Sequence, residues 1–395
     1  MPTPRIVVIH TGALGDTLLT FPALVWLRRW APDARLTLIA RRDTLPLALA
    51  SGLADAAWPY DLPDWSALFA DHPAPDAAEA GGESEADTAS GAANAASETS
   101  ARRGDGRPPL TPLTPLAQAT LSGADLVVAW LADRDGAVAR NLRALGVGRC
   151  IVAPGRPPGW NDARANDAKH QHAAAYLLGC LAPLSPPPPV AMPAPARDQL
   201  NAWLPRLRPS VEDQRGALAV WRTLSLPFAY DGGVVGGGVA GRVIALHPGS
   251  GGATKRWPPA SFAALARAIA QAGDIPLLIE GPQDAEVVAE VMAAWRRDGA
   301  ERTPLAVARG LGVGALAALL LRCTAYVGND SGVAHLAGLL GLPTIALFGP
   351  TDPAVWGPLG PAVWTLRAPD GDLARLPPAQ VMAGLAQALA SSSAE

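Results

Sequence analysis

The sequence predicts an α/β protein with two doubly wound domains that face each other across a cleft. Short β-branched runs alternate with amphipathic stretches over the first 154 residues. A second series with the same alternation runs from residue 241 to residue 350. With 395 residues, of which 49% are hydrophobic and 17% charged, the chain is long enough for two cores of ordinary domain size.

The first series begins with a βαβ unit. Apolar positions recur every three or four residues over 17–32, which predicts a helix between two short strands. Two further parallel strands follow, joined by a second helix over 136–146. The predicted strands of this domain are "RIVVIH" (5–10), "RLTLIA" (35–40), "ADLVVAWLA" (124–132) and "GRCIVAP" (148–154).

The second series repeats this order of elements. A strand over 241–250 leads into an amphipathic helix over 259–273, and three further strands follow. These strands are "IPLLIEG" (275–281), "AYVGND" (325–330) and "PTIALFGP" (343–350).

Three segments of unusual composition separate these elements. Residues 72–115 are rich in Ala, Gly, Ser and acidic residues and have almost no large apolar side chains, so we expect a disordered insertion that the fold does not need. The proline-rich stretch 183–196 favours stiff, extended geometry, as a connection between domains needs. A glycine-rich loop covers 231–241. We therefore expect an N-terminal domain over residues 1–190 and a C-terminal domain over 191–395.

Composition argues against several classes of protein. The formal net charge of -3 provides no basic field for nucleic acid. Cys150, Cys180 and Cys323 fit neither a zinc pattern nor a disulfide framework, so we expect reduced thiols. No apolar run is long enough for a signal peptide or a membrane span, and we expect a cytoplasmic protein without a transmembrane segment.

The first strand ends in "HTGALGD" (10–16), where two glycines allow a tight turn. Gly12 and Gly15 leave the carboxyl end of the strand open, and in α/β proteins this end faces the ligand crevice. Asp16 would lie at the rim of that crevice, either as a catalytic carboxylate or as the cap of a helix that begins at Asp16 or Thr17. The G-x-G-x-x-G spacing is absent, which argues against a nicotinamide-dependent oxidoreductase.

Two loops of the second series carry charged residues that suit a nucleotide. "HPGSGGATKRWP" (247–258) places Lys255 after a glycine-rich loop and before a helix that begins with proline. This arrangement suits an anion, with a solvated basic pair as the alternative. In "EGPQDAEVV" (280–288), Asp284 suits a helix cap, whereas Glu286 could also accept a ribose hydroxyl.

The stretch "NDSGVAHLAGLLGLPTIALFGPTDP" (329–353) joins a buried strand directly to a helix of small residues. Several free N–H groups then point at one place, which suits a phosphate. Ser331 would cap the helix, and His335, four residues on, would lie on the same helical face. A packed core histidine is the alternative for His335.

Taken together, "HTGALGD", "KRWP" and the stretch 329–353 resemble glycosyltransferase family 9, the heptosyltransferases of bacterial lipopolysaccharide synthesis. The resemblance covers both domains apart from residues 72–115 and 210–241. It implies a GT-B fold, in which two Rossmann-like domains face each other across a cleft. It also implies an ADP-heptose donor held mainly by the C-terminal domain, a lipid-linked acceptor held by the N-terminal domain, and inversion at the anomeric carbon without a metal or other cofactor.

The resemblance assigns roles to individual residues. Asp16 matches the family's proposed base, Lys255 its phosphate-side lysine and Glu286 its ribose-binding acid. The family's donor motif, Asp-[Ser/Thr]-Gly-x-x-His, is matched by Asp330, Ser331, Gly332 and His335.

On the acceptor side the chain departs from the family. After the strand over 124–132, lipopolysaccharide heptosyltransferases usually carry an Asp-x-Gln-Gly-like turn and a basic residue, whereas this chain reads "AWLADRDG" (129–136). The identity of the acceptor is therefore open: lipopolysaccharide core, another glycan or a protein.

We expect the paired Arg41 and Arg42, directly after the second strand, on the acceptor side together with Gly12 and Gly15. A solvated loop pair is the alternative for the two arginines. The expected partners are a nucleotide-sugar donor and a glycan or lipid-linked acceptor at the inner face of the cytoplasmic membrane. A non-catalytic nucleotide-sugar-binding protein would keep the second-domain motifs but would have no use for an acid at position 16.

Overall fold

The computed structural model describes residues 2–69, 114–159, 171–188, 197–227, 241–297 and 305–392. Most of the predicted insertion over 72–115 lies outside these residues, as do most of the proline-rich stretch and the glycine-rich loop. The described chain resumes at Thr114, whose hydroxyl accepts the Ala117 N–H and caps a helix that begins at Pro115. The boundary expected between residues 190 and 191 also lies outside, and it stays a prediction.

The first sheet is built from β1 Arg5–His10, β2 Arg35–Ala40, β3 Ala56–Pro59, β4 Leu126–Trp130 and β5 Cys150–Ala153. All are parallel, in the order β3-β2-β1-β4-β5. The four strands expected from the sequence are confirmed. β3 was not expected, because "AAWP" contains no β-branched residue.

The helices of this half are α1 Leu14–Leu18, α2 Phe21–Trp30, α3 Leu45–Ala50, α4 Pro115–Leu121, α5 Ala137–Ala144 and α6 Ala173–Gly179. The single helix expected over residues 17–32 is wrong, since α1 and α2 are separate. Pro22 lies in the first turn of α2 and has no N–H to donate to the Leu18 carbonyl, so the chain turns between the two helices.

The second sheet is built from β6 Val243–His247, β7 Ile275–Ile279, β8 Ala306–Ala308, β9 Ala325–Asn329, β10 Thr344–Phe348 and β11 Val363–Arg367. These strands are also parallel, in the order β11-β10-β9-β6-β7-β8. β6, β9 and β10 are buried along their whole length, as helices on both faces of a parallel sheet require. The four strands expected here are confirmed, and β8 and β11 are additional.

The helices of the second half are α7 Arg197–Asn201, α8 Val211–Thr223, α9 Pro259–Gln271, α10 Ala285–Arg297, α11 Val313–Leu320, α12 Gly332–Leu339, α13 Pro353–Trp356 and α14 Pro378–Ser392. α9 and α14 pack together on one face of the sheet. On the other face, α11 packs against α8 and also reaches α3 of the first half. None of the helices in the described parts of the chain combines the length and apolarity needed to cross a membrane.

Each sheet changes its winding direction at one place, and doubly wound proteins bind ligands there. In the first sheet this place lies between β1 and β4, which end in His10 and Trp130. In the second it lies between β6 and β9, which end in His247 and Asn329. Two ligand crevices are therefore expected, one in each half.

The two halves meet at the amino-terminal ends of α1 and α12. A Cβ on Gly332 would lie 2.6 Å from Leu14 Cγ, and a Cβ on Gly15 would lie 3.0 Å from His335 Cδ2. Glycine at both positions lets the two helix ends approach each other. One hydrophobic cluster contains buried residues of both halves, so the two crevices are held next to each other by continuous packing.

Candidate active site

A cavity of about 450 Å³ opens at the carboxyl ends of β1 and β4. Three segments form its walls: the turn after β1, the end of β4 and the loop after β5. The lining residues are His10, Thr11, Gly12, Asp16, Trp130, Leu131, Ala132, Pro154, Gly155, Arg156, Pro157, Pro158 and Gly159. Asp16 and Gly12 from the first sequence motif thus border one space with the loop after β5, which no sequence motif indicated.

Asp16 lies in the first turn of α1, but it is not the residue that caps the helix. α1 begins at Leu14, two residues earlier than expected, and Ala13 occupies the cap position. The Asp16 carboxylate accepts the Ala13 N–H at 3.2 Å and the Arg156 guanidinium at 2.8 Å, both on Oδ2. Oδ1 is left without a hydrogen bond from the described residues, on a side chain that is 12% exposed.

His10 closes the inner end of this cavity. Its Nδ1 accepts the Gly12 N–H at 3.2 Å and lies 3.4 Å from Thr17 Oγ1. Burial lowers the pKa of His10 to about 4; the Asp16 charge opposes this shift, whereas the Arg156 charge adds to it. The ring is therefore neutral near pH 7.

Gly12 is required for this arrangement. A Cβ at this position would lie 2.4 Å from His10 Cε1 and 2.6 Å from Asp16 Cβ, both closer than side chains tolerate. The glycine therefore lets His10 and Asp16 border the same small space.

The second crevice contains the residues of the expected donor motif. Lys255 ends a short 3₁₀ turn, Ala253–Lys255, and its Nζ lies 2.9 Å from Asp330 Oδ2. The Thr351 hydroxyl donates to the same oxygen at 2.7 Å. Asp330 is 7% exposed, so the positive charge expected beside a phosphate is already held by a buried carboxylate.

Ser331 occupies the cap position of α12, but its side chain does not cap the helix. The hydroxyl turns instead toward His247 at the end of β6, where Oγ lies 3.3 Å from Nδ1. The N–H groups of Gly332 and Val333 consequently have no hydrogen-bond partner in the described part of the chain. They are available to a ligand at the helix N-terminus.

His247 links Ser331 to Asp284. His247 Nε2 lies 3.0 Å from Asp284 Oδ2, and the two side chains are largely buried. Burial by itself would raise the pKa of Asp284, but the hydrogen bond and charge of His247, the Gly281 N–H and the Arg256 charge outweigh it and hold this pKa below its ordinary value. Asp284 therefore orients His247, a role beyond the capping expected from the sequence.

The other predicted site residues have different surroundings. His335 is 5% exposed and faces Gly15 of the first half. Glu286 lies in the first turn of α10 with an exposed side chain, and its contact with a ribose stays a prediction.

Arg41 and Arg42 follow β2 directly, at the carboxyl edge of the first sheet. Arg41 pairs with Asp43 at 2.8 Å and Arg42 with Asp61 at 3.2 Å. Their side chains are 44% and 62% exposed. The structure thus places both arginines in surface ion pairs, and their acceptor role stays a prediction.

The segment after β4, where the sequence departs from the family, has a local structural function. The Asp133 carboxylate accepts the N–H groups of Val138 at 3.0 Å and Ala139 at 3.1 Å, in the first turn of α5. The acid of this turn therefore serves a helix end.

Reasoning from the sequence missed four polar residues of these crevices, namely His10, Arg156, His247 and Thr351. His10 and His247 each end a buried strand at a change of winding direction, a position that the strand order would have marked. Arg156 and Thr351 have no such local signal, because their partners Asp16 and Asp330 lie 140 and 21 residues away.

Comparison with known proteins finds a family resemblance in the second half. Residues 225–376 match the model of glycosyltransferase family 9 (heptosyltransferase). The resemblance to this family is confirmed. Lipopolysaccharide heptosyltransferase 2 of Escherichia coli K12 is 34% identical over 119 residues, which cover 28% of this chain and 32% of the relative. Lipooligosaccharide heptosyltransferase 2 of Haemophilus ducreyi is 29% identical over 150 residues, which cover 37% of this chain and 43% of the relative. The matched parts thus span less than half the length of these relatives.

Solved structures extend the likeness to the whole fold. A family 9 glycosyltransferase from Veillonella parvula superimposes with a TM-score of 0.68 at 19% identity, covering 99% of this chain and 98% of the other. The structure of ADP-heptose lipopolysaccharide heptosyltransferase II of E. coli superimposes with a TM-score of 0.64 at 18% identity. The superposition covers 98% of this chain and 99% of the other. The GT-B fold expected from the family 9 motifs is confirmed.

Proposed function

We propose that this protein is an inverting glycosyltransferase that transfers heptose from ADP-heptose to a lipopolysaccharide-core or related glycan acceptor. The observation that carries the proposal is the contact between α1 and α12, which brings the Asp16 turn next to the Ser331 turn through Gly15 and His335. An acceptor bound in the first crevice and a donor bound in the second would meet at this contact.

Asp16 is the proposed general base. The Arg156 guanidinium and the Ala13 N–H both stabilise the carboxylate through Oδ2, and Oδ1 stays available for a proton. The acceptor oxygen attacks the anomeric carbon from the face opposite the leaving nucleotide, its proton passes to Asp16, and the anomeric configuration inverts. General-base help of this kind accelerates a reaction by about 10²–10⁴-fold.

The leaving ADP gains negative charge, which the second crevice is equipped to stabilise. The N–H groups of Gly332 and Val333 and the N-terminus of α12 provide positive dipoles. Lys255 supplies a full charge when it turns from Asp330 to the diphosphate, and Thr351 continues to donate to Asp330. These groups support a proposal of metal-independent transfer.

The test uses purified protein, ADP-heptose and lipopolysaccharide with no heptose or with one heptose. We expect mass spectrometry to detect the addition of one heptose and the release of ADP, with the transfer unaffected by EDTA. Nuclear magnetic resonance of the product would establish the inverted anomer. Tight ADP-heptose binding without transfer or ADP release would instead identify a non-catalytic binding protein, and transfer from another nucleotide sugar would correct the donor.

A further inference from the structure

The cavity of the first half contains a histidine that the roles proposed above do not use. His10 is the last residue of β1, is 1% exposed and forms part of the cavity wall. The Nδ1 side of its ring is occupied within the protein by the Gly12 N–H at 3.2 Å and by the Thr17 hydroxyl at 3.4 Å.

The single ring proton of His10 is on Nε2. Burial keeps the pKa of His10 near 4, so the ring is uncharged at neutral pH. A neutral imidazole has one donor and one acceptor nitrogen, and Nδ1 is the acceptor because the Gly12 N–H donates to it. Nε2 is therefore an N–H donor.

This donor lies beside Gly155 in the cavity wall. A Cβ on Gly155 would lie 3.5 Å from His10 Nε2 and 3.0 Å from the Trp130 carbonyl oxygen, and Gly155 itself lines the cavity. Within the described residues, no acceptor contacts Nε2. Because His10 lines the cavity, its Nε2–H can donate a hydrogen bond to the oxygen of a ligand bound there.

We propose that His10 Nε2–H donates a hydrogen bond to the acceptor hydroxyl that attacks the donor sugar, and so positions that hydroxyl for Asp16. The inference rests on the proposed function, in which Asp16 takes the hydroxyl proton. A hydroxyl has one O–H and two lone pairs. The O–H points at Asp16, one lone pair accepts from His10, and the other attacks the anomeric carbon. The proton moves to Asp16, and His10 keeps its own.

His10 and Asp16 lie close together in the wall of one cavity. A hypothetical Cβ on Gly12 would lie 2.4 Å from His10 Cε1 and 3.1 Å from Asp16 Oδ2, so only the glycine separates the two side chains. Both groups therefore border the same small space, which the cavity connects to Arg156 and Gly155. An acceptor oxygen in hydrogen-bond contact with both is held in a defined orientation before reaction.

Two substitutions of His10 test the roles of its two ring nitrogens separately. In His10→Gln the amide nitrogen reaches the place of Nε2, so the donor into the cavity is kept. In His10→Asn the side chain reaches only the place of Nδ1, where its oxygen still accepts the Gly12 N–H. With heptose-deficient lipopolysaccharide as acceptor, we expect His10→Asn to lower kcat/KM by about 10-fold or more and His10→Gln by less than about 3-fold.

Thermal unfolding and ADP titration of both variants check that they fold and bind the donor nucleotide as the wild type does. A purely structural His10 predicts the reverse order, because Asn keeps the contact with Gly12 and Gln does not. Wild-type kcat/KM in His10→Asn, or no advantage of His10→Gln over it, overturns the proposal.

Gly155→Ala probes the same space without changing His10. The added methyl would lie 3.5 Å from Nε2 and 3.0 Å from the Trp130 carbonyl oxygen, so thermal unfolding must first show that the backbone tolerates it. In a folded variant we expect the KM for lipopolysaccharide to rise several-fold with unchanged ADP affinity, and an unchanged KM would contradict a ligand at Nε2. Failure of the proposed function gives a different result. In that case the wild type transfers no heptose, or Asp16→Asn remains active, and these outcomes do not depend on the His10 variants.

Discussion

The two crevices of this protein differ in how their polar groups are held. In the second half, the side chains are joined before any ligand binds: Lys255 and Thr351 both contact Asp330, and His247 lies between Asp284 and Ser331. In the first half, a cavity of about 450 Å³ is lined by the ion pair of Asp16 with Arg156 and by His10, whose Nε2 has no hydrogen-bond partner among the described residues.

The difference teaches which half carries the more local, pre-formed polar network. The family 9 match over residues 225–376 falls on the side with this network. Connected, buried hydrogen bonds hold side chains in one arrangement before a ligand arrives. The first cavity lies outside that match, and two of its three walls are turns or loops, which tolerate sequence change better than buried networks do.

The largest expected effect is the loss of turnover in Asp16→Asn. The amide keeps the shape of the carboxylate but cannot take the acceptor proton, so kcat should fall by about 10²–10⁴-fold while ADP affinity stays the same. Single-turnover rates and calorimetric titration of ADP measure the two quantities. Asp125→Asn, at the opposite end of β4 where Asp125 accepts the Arg5 N–H, is the matched control. Near-normal turnover in Asp16→Asn would mean that Asp16 only stabilises α1.

Lys255→Ala tests the other crevice. It should weaken ADP binding by about 10–100-fold, because a charge-assisted phosphate contact is lost from the ground state as well as from the transition state. Arg242→Ala is the control, since Arg242 pairs with Asp274 and precedes β6, at the end of the sheet away from the crevice. Equal losses in both variants would contradict a direct phosphate contact and point to a general effect of charge.

The neutral His10 should make the first half sensitive to acid. Its pKa is about 4 in the folded chain and higher when unfolded, so the unfolded state binds the proton first as the pH falls. Stability is therefore complete above about pH 6.5 and decreases toward pH 4, with a loss of about 2 kcal/mol at pH 5. Urea unfolding at pH 7.5 and pH 5 measures this loss, which His10→Gln should remove.

The stability of the second half should depend on pH in a different, more acidic range. The pKa of Asp284 is lowered in the folded chain, so the stability it contributes is present above about pH 4 and is lost as the pH falls through its folded-state pKa. Asp284→Asn should therefore reduce the loss of stability between pH 5 and pH 3, which urea unfolding at these two pH values measures. An undiminished loss in this variant would contradict the stabilising role of the Asp284 carboxylate.

Charge reversal of Arg41 and Arg42 to glutamate should have the smallest effect. Both arginines are in exposed ion pairs, and such pairs contribute about 0–1 kcal/mol to stability. If they meet an acidic acceptor, the KM for lipopolysaccharide rises a few-fold and ADP affinity does not change. Equal effects on donor and acceptor would indicate a change in folding instead.

Much of this fold can be predicted from local sequence patterns. Eight of the strands coincide with runs that the alternation marked, and the glycine-containing turns after β1 and before α12 lie at the crevices. Such features depend on residues that are neighbours in the chain, through side-chain periodicity and turn geometry.

The partners of the site residues could not be predicted in the same way. Lys255 and Asp330 are separated by 75 residues, His247 and Asp284 by 37, and only the parallel arrangement of the strands brings them together.

The linear order of residues determines the two α/β series, the turns that open each strand end and the resemblance of the second half to glycosyltransferase family 9. Tertiary packing decides the charge state of His10, the pairing of Asp16 with Arg156 and the contact between Gly15 and His335. The physical reason is the sequence distance over which each effect acts. Propensity and periodicity depend on residues a few positions apart. Burial and ion pairing depend on which distant segments the two sheets place side by side.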